Sequence, residues 1–134
     1  SEDEDYLVRQ YVNAFTSRTK VVHITHVINW NGQIIRVKKI AEEAHRRGIK
    51  VIVDGAHSFA HFDFKIPDLG ADYFATSLHK WLYAPIGSGM LYVKKEHIAP
   101  LIKGGGGGQK TLATAGGQEA SNLQAVIEKV KSLL

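Results

Sequence analysis

The chain has no cysteine, one methionine and three prolines in 134 residues. Lacking cysteine, these residues form no disulfide, no thiolate metal site and no cysteine nucleophile. No apolar run approaches the roughly 18 residues of a membrane span, and the opening SEDED has no basic-then-apolar leader pattern. The expectation is a soluble, cytoplasmic protein without a membrane role. Charge of one sign is also scarce. Seventeen basic residues stand against thirteen acidic ones, a net +4, and the pairs Lys38/Lys39, Arg46/Arg47 and Lys94/Lys95 are scattered. That pattern suits a small anionic ligand and not a nucleic-acid face.

What is present is a chain that is 44% hydrophobic and 22% charged, suited to one globular domain. At roughly 150 residues a chain buries about 68–70% of its unfolded surface, enough for a core without metal or disulfide. Ser1 and Glu4 have the spacing of a capping box, and Tyr6, Leu7, Gln10, Tyr11 and Phe15 fall mostly at helical intervals, predicting a helix over 3–15. VVHIT (21–25) and KVIVDGA (50–56) are short β-branched runs typical of buried strands. Between them, Ile35, Val37, Ile40, Ala41 and Ala44 keep helical spacing, and HRRG ends the helix with basic residues and Gly48. DYFATS (72–77) and GMLYVK (89–94) read as two further strands. Strands alternating with helices predict an α/β layered domain.

Five consecutive glycines, Gly104 to Gly108, interrupt this order. Such a run specifies no conformation and reads as an engineered join. Strand-like QKTLATA follows, and then GGQEASNLQAVIEKVKSLL, a helix pattern.

Asp54 ends one apolar strand and Lys80 follows the end of the next. In open α/β sheets that edge binds ligands; on spacing alone, a salt bridge or a solvated lysine serves equally well. The surrounding residues are more specific. VDGAH (53–57), followed by ADYFATSLHKWLYAPIGSGMLYVKKE (71–96) and preceded by THVINWNGQI (25–34), resembles the class V aminotransferase family of pyridoxal phosphate (PLP) enzymes. The likeness is greatest to its isopenicillin N epimerase branch and more distant to its cysteine desulfurases.

The resemblance implies PLP as cofactor and an amino acid as small-molecule substrate. Lys80 is then the Schiff-base lysine, Asp54 the partner of the pyridine nitrogen, and His57 a neighbour of the ring and its phenolic oxygen. Asn29 bonds that oxygen, and Ser77 and His79 reach the phosphate. TLATAGGQEASNLQAVI (111–127) resembles the family's phosphate loop, with Gly116, Gly117 and Gln118 at the turn and Gln118 standing where a hydroxyl residue is usual. A strand, a glycine turn and a helix start offer free N–H groups to a phosphate.

These likenesses imply a circularly permuted, shortened PLP-binding large domain: residues 1–103, the glycine linker 104–108, and a displaced strand and helix over 109–134. Its fold class is three-layer α/β/α, with a mostly parallel sheet in the order 111–115, 88–94, 72–77, 50–55, 20–25, and 88–94 antiparallel. The family's ring-stacking segment and small domain have no counterpart, which leaves room for partner-chain residues in a homodimer. The implied activity is a PLP-dependent epimerisation, transamination or elimination. Desulfuration is disfavoured by the missing cysteine, and the alternative is a minimal scaffold that folds, and binds PLP, without turnover. Trp30 and Trp81 are expected in packing and His23, His45 and His97 in structural or surface roles; His26 and His61 are left open.

Overall fold

In the computed structural model, which describes residues 4–97 and 113–114, the elements in chain order are α1 (Glu4–Ala14), β1 (Val21–Thr25), α2 (Val37–Arg46), β2 (Lys50–Asp54), a 3-10 turn (Ile66–Leu69), β3 (Tyr73–Ser77), β4 (Gly89–Val93) and β5 (Ala113–Thr114). The strands form one sheet in the order β1-β2-β3-β4-β5. β1, β2 and β3 are mutually parallel, and β4 runs antiparallel to both β3 and β5. This is the mostly parallel sheet with one reversed strand that the sequence predicts.

The core follows from strand alternation. Register places Val22 beside Val51, Ile24 beside Val53, and Val53 beside Phe74, so one sheet face is a continuous apolar surface. α2 turns Val37, Ile40, Ala41 and Ala44 into that core, the stripe of a 3.6-residue period. Ile24, Val51, Val53 and Phe74 are fully buried, each contributing about 1.5–3 kcal/mol by leaving water. The opposite face carries Val21, His23, Ala75 and Leu91, all exposed among the described residues. The helix predicted near the C-terminus, and with it the second helical layer, lies outside the described residues. So do Ser1, Gly104 to Gly108, Gly116, Gly117 and Gln118.

Among the boundaries that differ from the sequence expectation, two have clear reasons. α2 starts at Val37 because Ile34 bridges Val27 and the Ile35 N–H donates to the His26 carbonyl at 2.9 Å. β2 stops at Asp54 because Gly55 opens a turn, its carbonyl accepting from Ser58 and Phe59, each at 3.0 Å. Gly48, with φ of 69°, ends α2 in the left-handed conformation that glycine adopts without penalty.

Candidate active site

Because β2 and β3 are parallel neighbours, their C-terminal ends emerge at one sheet edge. The first turn there is built around Gly55. A Cβ at this position would lie 1.9 Å from Cζ of Phe74, so only glycine lets the β3 aromatic ring pack beneath the turn. The Gly55 N–H donates to the Ala75 carbonyl at 2.7 Å, and the Thr76 hydroxyl donates to the Gly55 carbonyl at 3.1 Å. The turn is thereby tied to β3 on both sides. Within it, Oδ1 of Asp54 accepts the Ala56 N–H at 2.9 Å, and its other carboxylate oxygen makes no hydrogen bond among the described residues.

The second turn follows β3 and carries Lys80. Its base is held by the Leu78 N–H donating to the Ser88 carbonyl at 3.0 Å and the Ala84 N–H donating to the Leu78 carbonyl at 3.2 Å. His79 brings Nδ1 to 3.4 Å from the Ser88 carbonyl, linking the same turn to the start of β4. The two turns meet where Nζ of Lys80 lies 2.9 Å from Nε2 of His57. Burial and then the Lys80 charge push the His57 imidazole below its ordinary range, while the Asp54 carboxylate pulls the other way. A neutral His57 therefore accepts from the Lys80 ammonium through Nε2, which leaves its own proton on Nδ1.

Asp54, His57 and Lys80 thus share one electrostatic neighbourhood. Asn29 sits at the same edge in the exposed turn after β1, whose base is fixed by the Ile28 N–H donating to the Gln33 carbonyl at 3.0 Å. Ser77 closes β3 opposite Gly89. Neither Asn29 nor Ser77 makes a side-chain hydrogen bond among the described residues, to the Lys80–His57 pair or elsewhere.

The tryptophans depart from expectation. Trp30 is 81% exposed, because it occupies the tip of the turn after β1 and not a strand face. Trp81, also exposed, stacks on His61 with ring centroids 3.8 Å apart and planes 4° apart, and meets His57 edge-on at 6.4 Å. The sequence reading missed this pair; its signal is one ring four residues after His57 and another directly after Lys80. Ala60 and Tyr83, with φ of 62° and 56°, are the two non-glycine residues in the left-handed region among the described residues, one in each turn. His26 lies deeper, buried edge-on against Phe62 and Phe64. Its Nδ1 has no partner among the described residues, and burial lowers its pKa.

The opposite sheet edge accounts for His45 and His97. Their Nε2 atoms lie 2.8 and 2.5 Å from the two carboxylate oxygens of buried Asp72, so both serve structure. Among the described residues no cluster of three metal-ligating side chains occurs, and no helix is long and apolar enough to cross a membrane.

Comparison with known proteins locates these residues in a family. Residues 1–125 match the family model described as aminotransferase class-V. A probable cysteine desulfurase of Halalkalibacterium halodurans is 42% identical over 97 residues, which cover 72% of this chain and 24% of that protein. An isopenicillin N epimerase of Streptomyces clavuligerus is 39% identical over 89 residues, 66% of this chain and 21% of that one. Among solved structures, an apo cysteine desulfurase from Thermococcus onnurineus NA1 superposes with a TM-score of 0.58 and 32% identity, over 70% of this chain and 22% of that one. The chain spans between 15% and 24% of the length of the curated relatives it matches.

Proposed function

The chain belongs to the class V aminotransferase family, and we propose that within it Lys80 is the amine that anchors PLP for a transformation of an amino acid. The observation that carries this reading is the meeting of Lys80 and His57 at 2.9 Å, beside Asp54, at the C-terminal edge of parallel strands. The residues present fit the group. Lys80 is half-buried, and among the described residues its amine meets an imidazole and no carboxylate, so it is not committed to an ion pair. Asp54 keeps one oxygen uncommitted for a ring nitrogen.

When bound, PLP supplies an electron sink for negative charge developing at the substrate's Cα. The chain supplies the rest. The Asp54 carboxylate, with one oxygen uncommitted, would hold a proton on the ring nitrogen. Lys80 Nζ, held at 2.9 Å from His57 Nε2, would anchor the group and, as a free amine, would be the base nearest the substrate's Cα. His57 stands beside Lys80, and Asn29 from the turn after β1 would supply a hydrogen bond to the ring oxygen. Ser77 and His79, with Gly116, Gly117 and Gln118, would hold the phosphate. Residues 109–134 would then be the displaced segment, joined through Gly104 to Gly108, a reading supported by the antiparallel pairing of Met90 with Thr114 and Leu91 with Ala113.

Borohydride reduction in the presence of PLP, followed by peptide mass mapping, tests the proposal. A stable adduct on Lys80, lost in Lys80→Ala, is the expected result; an adduct spread over other lysines, unchanged in that variant, overturns it. A second reading, binding without turnover, draws support from the short span of the family chain that is present. Incubation with PLP and several amino acids separates the two by formation of keto acid or racemised product above the free-PLP background.

A further inference from the structure

We propose that His61 and Trp81 form a positioning couple that sets the distance between His57 and Lys80. The inference rests on the reading of Lys80 as the cofactor anchor and adds a pair of residues that the reading does not use.

Each member is attached directly to one of the two site residues. His61 brings Nδ1 to 3.0 Å from the His57 carbonyl, so its N–H donates back across the turn and ties the two histidines together. Trp81 is the residue after Lys80. The stack at 3.8 Å and 4° therefore joins the turn after β2 to the turn after β3 at one place, and the Lys80–His57 contact at 2.9 Å is what that junction brackets. Core packing does not explain the stack, since both rings are exposed. It is a specific face-to-face contact of two planar rings, one of them edge-on to His57 as well, and aromatic geometry of this kind is worth more than the area it covers.

Backbone conformation supplies a second, independent observation. Ala60, directly before His61, and Tyr83, two residues after Trp81, hold φ of 62° and 56°, a region that L-residues avoid. The left-handed Ala60 immediately precedes the residue that stacks on Trp81. Strain persists where surrounding contacts over-determine it, and here the ring stack lies directly after one strained residue and two residues before the other.

The test uses the whole chain with three substitutions: His61→Ala, Trp81→Leu, which keeps bulk without a planar ring, and Trp81→Phe, which keeps a ring. Two readouts are taken. In the cofactor-free protein, nitrogen NMR follows the titration of the His57 ring, whose surroundings are Lys80, Asp54 and His61. In the presence of PLP, the rate of borohydride-trapped adduct on Lys80 is measured. His61→Ala and Trp81→Leu should each raise the His57 titration midpoint as burial and the Lys80 charge recede, and slow trapping by roughly 10- to 100-fold, the range for a displacement approaching 1 Å. Trp81→Phe should restore most of both.

A His57 midpoint in Trp81→Leu equal to wild type, with its fold intact by circular dichroism, overturns the couple. So does a Trp81→Phe protein as impaired as Trp81→Leu. If wild type gives no adduct on Lys80, the cofactor reading fails while the His57 titration still decides the couple, so the two failures are distinguishable.

Discussion

Aspartate, histidine and lysine occur together at both ends of the sheet, and only one end looks like a site. At the edge where β2 and β3 begin, Asp72 is 2% exposed and fully engaged. It accepts the Val51 N–H at 2.7 Å, faces both His45 and His97, and has the Lys50 amine at 3.7 Å. Burial works to raise its pKa, but the hydrogen bonds from His45, Val51 and His97 outweigh it and hold the carboxyl at about 2. At the other edge Asp54 accepts one backbone N–H, Lys80 meets a neutral imidazole, and two non-glycine residues sit at positive φ. The lesson is that residue type does not mark a site. A set whose charges are mutually satisfied is a fastener, whereas one that leaves an amine and a carboxylate oxygen available is prepared for a ligand.

The comparison breaks most visibly by removing each acid. Asp72→Ala leaves the Val51 N–H and two histidines facing a void, so it should cost about 3–5 kcal/mol, the usual penalty for stripping a buried charged pair. Asp54→Asn keeps an oxygen for the Ala56 N–H and should stay within about 0.5 kcal/mol of wild type, while weakening PLP binding. Urea unfolding of the two variants checks both numbers; equal losses would mean the two edges are built alike. Gly55→Ala follows. Its methyl meets the Phe74 ring at 1.9 Å, and overpacking of this kind costs about 1–3 kcal/mol. Because the same turn carries His57, that variant should lose the Lys80 adduct as well, and Phe74→Leu in the same chain should recover part of it.

Much of this was legible in advance, for reasons that differ by residue. The four strands of residues 21–94 appear in the sequence as β-branched or aromatic runs because buried parallel strands need apolar side chains on successive positions. Asp54 and Lys80 could be placed because strand ends are fixed once strands are. The fastener at Asp72 was not legible. His45, His97 and Lys50 come from α2, the segment after β4 and the start of β2, and nothing local tells a histidine in a helix that it will meet an acid 27 residues away. The His61–Trp81 stack was missed for the same reason: each ring follows a site residue, but their meeting depends on two left-handed residues that no sequence pattern announces. Gly55 illustrates the middle case. The glycine is visible, while the ring of Phe74 that requires it is visible only in the fold.

Acid sharpens the contrast next. The hydrogen bonds around Asp72 hold its pKa at about 2, well below the ordinary carboxyl value, so its stabilisation is complete above the unfolded value and is lost as pH falls toward 2. His26 acts earlier. Burial lowers its folded pKa, so below about pH 6.5 the unfolded chain takes up a proton that the native state resists, and stability declines as pH falls, by at most about 1.4 kcal/mol per pH unit. Urea midpoints measured from pH 8 to 3 should therefore fall in two stages. His26→Phe should flatten the upper stage and Asp72→Asn the lower one; a single stage unaffected by either would show that neither group governs the acid limb.

The smallest effect bears on the strained edge alone. An alanine in the left-handed region costs roughly 1–2 kcal/mol, whereas glycine adopts it freely but loses about 0.5–1 kcal/mol through the greater freedom of its unfolded chain. Ala60→Gly should therefore raise stability by about 0.5 kcal/mol. A glycine inserted at an unstrained position, such as Ala44 in α2, should lower it. If Ala60→Gly destabilises as Ala44→Gly does, the turn before His61 holds no strain. If it stabilises while slowing adduct formation on Lys80, the left-handed backbone is maintained against its own preference because it delivers His61 to Trp81, and the cost of that conformation belongs to the site and not to the fold.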